Sequence, residues 1–506
     1  MTELDRRAFL QRGAAVTAGS ALLGGPFAGF LAGPAVAGAG RTDQNALRPV
    51  PDQRDGLVRL ELPDGFQYRS FQPSSRATPI ILDDGSRLPG RHDGMAAFAA
   101  KTGGNTILVR NHEENGSAVD ASFGGPSTPT YDRNAPGGTS TVHVTDDGQV
   151  LHSYGSLAGT QNNCSGGAMP WGSWVTCEET VNGYDLGDDF TRGRAAPALT
   201  YIQNARLQKR HGYIFEVPAE GGATAEPITM AGRFAHEAVA FDPKEGVLYL
   251  TEDNFGYPSG FYKYVPPVDP KRAGRLEDGG TLWMLRVVGQ PGAHLEASQP
   301  NGTSYPVDWV QIDDPDFDFG RPPTGGPPDR TNDDGISYVG NQGRAKGAAK
   351  FSRLEGAVYD HGWVFWTSTQ GGGPAEPTDN DSVQGWGNGR GQVWGLDLKE
   401  QRLVMLYQST GPLNLDFPDN VTTSARGTLI LCEDGTNFNF LRGLTRKGEL
   451  FDIARNNVPP SDAPIDQNDE FAGATFGPGG RTLYVNIQDS RGMSFAIWGP
   501  WGRLGV

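Results

Sequence analysis

The sequence predicts an all-β fold: a six-bladed β-propeller carrying long inserted loops. Three observations predict it. One pattern of paired apolar runs recurs six times along the chain. The runs are short, rich in β-branched and aromatic residues, and separated by Gly, Pro and Asp turns, as short strands are. No long segment has helical periodicity. At 506 residues, with 72 Gly and 37 Pro, the chain exceeds a usual domain, but propellers run longer as one unit. A β-sandwich is the alternative, and six similar units are hard to place in one.

The units follow in order from about Arg91. The first is HDGMAAFAAKTGGNTILVRNHEEN with STVHVTDDGQVLHSYG, and the second NNCSGGAMPWGSWVTCEET with GYIFEVPAEGGATAEPITM. The third is HEAVAFDPKEGVLYLTEDN with GFYKYVPP. The fourth is LEGAVYDHGWVFWTSTQGG with GQVWGLDLKEQRLVMLYQS. The fifth is DNVTTSARGTLILCEDGTN with FLRGLTRKGEL, and the last EFAGATFGPGGRTLYVNIQDS with FAIWGPWG. Asp185 to Arg210 interrupts the second unit, and Gly289 to Lys350 separates the third from the fourth. Both insertions, near 185–210 and 289–350, are expected as long surface loops and are candidates for a lid. The expected organisation is a single propeller domain over 38–506.

Residues 1–37 read as a twin-arginine signal peptide. Arg6 and Arg7 precede Phe9 and Leu10, a mild Ala/Gly/Leu stretch follows, and Ala35-Val36-Ala37 suits cleavage. A membrane anchor is the weaker reading, because Gly and Pro break the stretch. The expected partner in export is the twin-arginine translocase, and the expected location is periplasmic or extracellular. The net charge of −16 argues against a nucleic-acid partner, since no basic stripe is present to neutralise phosphates. Three cysteines imply no disulfide framework. Cys177 and Cys432 lie in apolar runs and read as buried thiols, whereas Cys164 has polar, Gly-rich neighbours.

In a propeller the start of each first strand and the end of each second strand reach the same rim. The starts are Asp93, Cys164, Glu237, Glu355, Asn420 and Glu470. The ends are Glu113, Glu178 with Glu179, Glu252 with Asp253, Gln370, Glu433 with Asp434, and Gln488 with Asp489. Two carboxylates about 5 Å apart repel by roughly 3 kcal/mol at an effective dielectric of about 20. So dense a set calls for cations, and carboxylate oxygens suit calcium and other hard ions. A thiolate among them favours a transition metal. Taken singly, each acidic pair reads as a solvated turn and Cys164 as a small buried residue; repetition at equivalent positions favours the site. His112 and His236 read as ligands or as hydrogen-bonding supports. Arg353, two residues before Glu355, faces the same way. It reads equally as a bidentate phosphate clamp or as a salt bridge to a neighbouring glutamate.

The ordered motifs NNCSGG, PWGSWVTCEE, FAHEAVAFDP, YLTEDN, FSRLEG, LILCEDG and YVNIQDS…FAIWGPW, behind a twin-arginine leader, resemble the PhoX-type bacterial alkaline phosphatase family from roughly Arg54 to the C-terminus. The resemblance implies an exported phosphomonoesterase acting on small phosphorylated organic substrates. It implies a site of two oxo-bridged ferric ions and three calcium ions, held mainly by glutamates with one cysteine on iron. By motif, Cys164 is similar to the iron thiolate, and Glu113, Glu178, Glu179, Glu237, Glu355 and Glu433 to the carboxylate ligands. Arg353 is similar to the phosphate-binding arginine, with Glu355 beside it in the catalytic pair. Glu252, Asp253, Asp434 and Gln488 match less closely, as calcium ligands or as supports behind the ligands, with Glu252 and Asp253 counted among the metal residues. A monomer is expected. The chain departs from the pattern at NIQDS, and 289–350 carries no matching motif, which leaves the substrate range open. The competing readings are a calcium-dependent propeller lactonase or phosphotriesterase, and a non-catalytic exported scaffold.

Overall fold

The computed structural model describes residues 46–74, 79–101, 103–191, 200–322, 326–381, 385–459, 467–489 and 491–506, so the expected leader over 1–37 lies outside the described residues. Three short strands come first, β1 (Arg48–Pro51), β2 (Val58–Leu62) and β3 (Gln67–Phe71). An antiparallel meander follows: β4 (His92–Ala99), β5 (Thr106–His112), β6 (Gly137–Val144) and β7 (Val150–Thr160). β8 (Asn163–Met169) and β9 (Ser173–Glu178) precede a small hairpin, β10 (Asp189–Thr191) and β11 (Thr200–Ile202); β12 (Ile214–Pro218) then pairs with β9.

Next come β13 (His236–Asp242), β14 (Val247–Glu252), β15 (Phe261–Val265), β16 (Thr281–Val287) and β17 (Ser304–Gln311). They share one nine-stranded sheet with β18 (Leu354–Asp360), β19 (Trp363–Ser368), β20 (Gln392–Asp397) and β21 (Arg402–Gln408). β22 (Pro418–Thr423), β23 (Leu429–Glu433), β24 (Phe440–Leu444) and β25 (Leu450–Asn456) are extended to six strands by β2 and β1. Finally β26 (Phe471–Phe476), β27 (Thr482–Ile487) and β28 (Met493–Trp498) take the N-terminal β3 as their fourth strand, with Ser494 opposite Phe71.

The result is an all-β, propeller-like arrangement. β4 packs on β8, β8 on β13, β13 on β18, β18 on β22, β22 on β26, and β26 back on β4. A ring this tight needs first strands with little side chain. A Cβ on Gly94 would come within 2.5 Å of Ser165 Cα, and one on Gly356 within 2.5 Å of Val421 N. Glycine is what lets these backbones touch. Both faces of most strands are covered, so runs such as Thr106–His112 and Trp363–Ser368 are buried throughout. Between the sheets, apolar layers carry the packing; Phe261 stacks on Trp366 at 3.9 Å between ring centroids.

The sheets are not uniform. β17 comes from the 289–350 insertion and pairs with β21, Ser304 opposite Val404, which fuses two units into nine strands. The same insertion corrects a second expectation: it is not only loop but also holds a helix over Asn332–Ala345. Gly335, Gly340 and Gly343 interrupt its apolar stripe, and a Cβ on Gly343 would strike Met284 Sδ at 2.2 Å. Its sequence signal is the cap: Thr331 and Asp334 form a capping box. The helix start docks on loops that follow β9 and β14. There Asn332 Nδ2 donates to Val181 O at 2.6 Å, and Asn254 Nδ2 donates to Ile336 O at 3.3 Å. No helix among the described residues is long and apolar enough to cross a membrane.

Candidate metal centre

Every first strand slips register at the same place. The slips lie between His92 and Met95, Asn163 and Gly166, His236 and Val239, Leu354 and Ala357, Pro418 and Val421, and Ala472 and Thr475. A bulge re-aims the residue it carries. The first residues of these bulges are Asp93, Cys164, Glu237, Glu355, Asp419 and Gly473, and all but the glycine offer a ligand atom. The ligand atoms form three linked groups, each within 4.8 Å: Asp93, Glu113 and Cys164; Cys164, Glu179 and Glu237; Glu237, Glu355 and Asp419.

Two members differ from expectation. Asp419 takes the place assigned to Asn420, whose Oδ1 instead accepts from Gly473 N at 2.5 Å. Glu470 is not a member of the three groups, yet burial and the Asp434, Asp419 and Asp93 charges push its carboxyl well up, so it stands beside them. Asp93, noted only as a strand start, belongs in the group and takes a hydrogen bond from Gln488 Nε2 at 2.5 Å.

The second strands sort their acids by parity, because successive side chains face opposite ways. Glu178, Glu252 and Glu433 end β9, β14 and β23 opposite Asn163, His236 and Pro418. They turn away from the group and hold the third strand of their own sheet. Glu178 accepts from Gly212 N at 2.8 Å and Tyr213 N at 3.1 Å. Glu252 accepts from Gly260 N at 2.8 Å and the Tyr262 hydroxyl at 2.7 Å. Glu433 accepts from Phe440 N at 3.1 Å and Arg442 Nε at 2.8 Å. One residue later the chain faces the group again, with Glu113, Glu179 and Asp253. Thus Glu113, Cys164, Glu179, Glu237 and Glu355 are brought together, with Asp253 directly beside Glu179, Glu355 and Arg353; Glu178, Glu252 and Glu433 are not.

Neighbouring polar residues brace the ligands. Asn111 Nδ2 donates to Cys164 O and Ser165 O, both at 2.8 Å, which fixes the Cys164 bulge. His112 bonds Gly90 O and Ser140 Oγ, and His236 bonds Gly232 O, so both histidines act as hydrogen-bonding supports.

His211 braces Glu178. Its Nδ1 lies 2.6 Å from Glu178 Oε1 and its Nε2 3.4 Å from Asp132 Oδ2, with all three side chains fully buried. Burial opposes the charge, but the Glu178 charge and the Asp132 hydrogen bond outweigh it and lift His211 to about 9. The unfolded histidine titrates near 6.5. The stabilisation is therefore complete below about pH 6.5 and is lost as pH rises through about 9, a span worth on the order of 3 kcal/mol. The melting temperature is expected to fall between neutral pH and pH 10. His211→Gln is expected to melt lower at neutral pH and to flatten that slope; an unchanged slope counts against a charged His211.

The group itself is electrostatically strained. Burial, then the Glu355 and Glu179 charges, push Glu237 well up. Burial, then Asp253 and Asp419, do the same to Glu355. Asp419 is pushed up to about 7 by burial and Asp434. Burial, then Glu179 and Glu237, raise the Cys164 thiol, whose Sγ lies 2.5 Å from Glu179 Oε2. Burial would raise Asp253 too, but the Arg353 charge outweighs it and holds it low. Arg353 Nε donates to Asp253 at 2.9 Å, and its Nη2 lies 3.1 Å from Glu355 Oε1. Glu237 Oε2 is buried without a hydrogen-bond partner among the described residues. A bare carboxylate oxygen among other carboxylates and a thiol fits a cation site and little else.

A family model described as alkaline phosphatase PhoX matches residues 45–153 and 136–490. Among solved structures, the chain is similar to Pseudomonas fluorescens PhoX in complex with vanadate, a transition state analogue. The identity is 18%, over 90% of this chain and 98% of that one, with a TM-score of 0.58. A gluconolactonase from Xanthomonas campestris matches more loosely, at 11% identity over 85% of this chain and 99% of that one, with a TM-score of 0.31. No curated protein sequence matches the chain.

Proposed function

The chain belongs to the PhoX alkaline phosphatase family and is a phosphatase, and on that premise we propose that it is exported and hydrolyses phosphomonoesters at a metal centre held by the bulge residues. The observation that carries this is the chain of three linked groups that Asp93, Cys164, Glu237, Glu355 and Asp419 form, with Glu113 and Glu179 completing it. Carboxylate oxygens suit calcium, and the Cys164 sulfur suits iron. Bound there, the ions would offset the carboxylate charge and that of the phosphoryl oxygens. Arg353 takes the role of phosphoryl clamp: its Nη1 has no partner among the described residues, while Asp253 and Glu355 fix the plane of the guanidinium. Burial keeps the site poor in water, which strengthens each contact.

The same reading treats the closed ring of first strands as six blades, with the nine-stranded sheet as two of them joined at their outer edges. It takes 38–506 as one catalytic domain, exported by the twin-arginine route to the periplasm or beyond and working as a monomer. The P. fluorescens relative, described with a vanadate transition state analogue, supports phosphoryl transfer as the chemistry.

Purified protein is expected to hydrolyse p-nitrophenyl phosphate, to stop when chelated, and to recover with calcium. Iron in proportion to protein, lost in Cys164→Ser, separates this site from a calcium lactonase. A folded, metal-loaded chain that hydrolyses no phosphoester sinks the reading.

A further inference from the structure

Arg353 has a counterpart across the ring. The first strands run β4, β8, β13, β18, β22, β26 and close on β4, so β4 and β18 stand opposite each other. Each carries an arginine two residues ahead of its bulge carboxylate: Arg91 before Asp93, and Arg353 before Glu355. Both arginines adopt a left-handed φ of 43°. Asn162 (49°) and Phe417 (51°) adopt it at the same place in their units, so the conformation belongs to the repeat and aims whichever side chain stands there towards the rim. Both carbonyls accept from the residue that follows the second strand, Glu113 N to Arg91 O at 3.0 Å and Thr369 N to Arg353 O at 2.9 Å. Both guanidinium groups pair with acids of the group, Arg91 with Glu113 and Arg353 with Asp253 and Glu355.

The pair differs in depth. The Arg353 side chain is 16% exposed and the Arg91 side chain 37%. Arg91 spends Nε on Glu113 O at 2.7 Å and Nη2 on the Glu113 carboxylate; its Nη1 has no partner among the described residues. A guanidinium keeps spare donors in this state, in a fork suited to a carboxylate or phosphate.

We propose that Arg91 is a second anion-binding arginine, which holds a further negative group on the leaving-group side of the substrate. The inference rests on the phosphatase reading. The deeper arginine takes the phosphoryl group beside the ligand cluster, and the leaving group then points out towards the shallower one. The substrate class favoured is a phosphoester with a second anionic group, a carboxylate or another phosphate, over one with a neutral leaving group.

Phosphoglycerate and glycerol phosphate make a matched pair, differing at the far end by a carboxylate. In the full, metal-loaded chain, Arg91→Met is expected to lower kcat/KM for phosphoglycerate by about tenfold or more while glycerol phosphate changes by less than about threefold. Arg91→Lys is expected to recover part of the loss. An equal fall on both esters assigns Arg91 to holding Glu113 and overturns the proposal, as does no change on either. Titration with phosphoglycerate and with inorganic phosphate reads the same discrimination without turnover. A wild-type chain that hydrolyses neither ester therefore tells against the phosphatase reading, while the titration still decides Arg91.

Discussion

Replacing Glu237 with glutamine is expected to lower kcat/KM on p-nitrophenyl phosphate by on the order of a hundred- to a thousandfold and to reduce bound metal. Glu237 is shared by two of the three ligand groups, linking Cys164 and Glu179 to Glu355 and Asp419. Glutamine keeps the shape and removes the charge. The change in stability has opposite signs with and without metal. Without ions, Glu237 is buried against Glu355 and Glu179 with one oxygen unpartnered. Whether these carboxyls repel as anions or take up protons to avoid it, the ion-free fold loses stability, by up to roughly 3 kcal/mol per pair at about 5 Å and an effective dielectric of about 20. Chelated Glu237→Gln is therefore expected to melt above chelated wild type, while the loaded variant melts below loaded wild type. Activity within a few-fold of wild type and full metal content in Glu237→Gln would remove Glu237 from the centre.

Those opposite signs arise from a feature that the sequence does not spell out. The repeats, their turns and the shared rim are legible in it, because short apolar runs and Gly/Pro turns carry period-two information. Register is not. A one-residue slip turns every side chain to the opposite face, and the adjacent acids Glu178 and Glu179 look alike in sequence. The bulge after Asn163 decides that Glu179 reaches Cys164 while Glu178 holds the start of β12. In the fifth unit the same bulge selects Asp419 over Asn420. A glycine directly follows the bulge carboxylate in the first and fourth units, Gly94 after Asp93 and Gly356 after Glu355, but the second, third and fifth have Ser165, Ala238 and Asn420 there, so no common residue fixes the register. The helix over Asn332–Ala345 was hidden for another reason: Val339, Ile336 and Tyr338 reach the core, but Gly335, Gly340 and Gly343 take the other buried places and interrupt the apolar period. The pairing of β17 with β21 joins residues far apart in the chain, which no local pattern specifies.

Arg353 is where two readings of one residue can be separated. As a clamp on the phosphoryl group, its loss in Arg353→Met is expected to cost about a hundredfold or more in kcat/KM, with metal content retained. As a counter-ion for Asp253, its loss is expected to cost stability instead, because Asp253 is left buried and unpaired, at about 3–5 kcal/mol for a buried pair. Both effects are expected in the single variant, since Arg353 bonds Asp253 through Nε and Nη2 and leaves Nη1 uncommitted. Asp253 is held low by Arg353. The stability it contributes is present above the unfolded carboxylate range, near pH 3.9, and is lost as pH falls. Arg353→Met is therefore expected to lose stability at neutral pH and to show a shallower acid limb. The double variant Arg353→Met with Asp253→Asn removes both charges and is expected to recover much of the melting temperature. Its activity is expected to stay low, because no donor fork remains for the phosphoryl oxygens. Arg353→Lys keeps the charge without the fork and is expected to fall between, with the larger loss in kcat. If the double variant regains wild-type turnover, Arg353 serves the protein as a counter-ion alone and the phosphoryl group is held by other means.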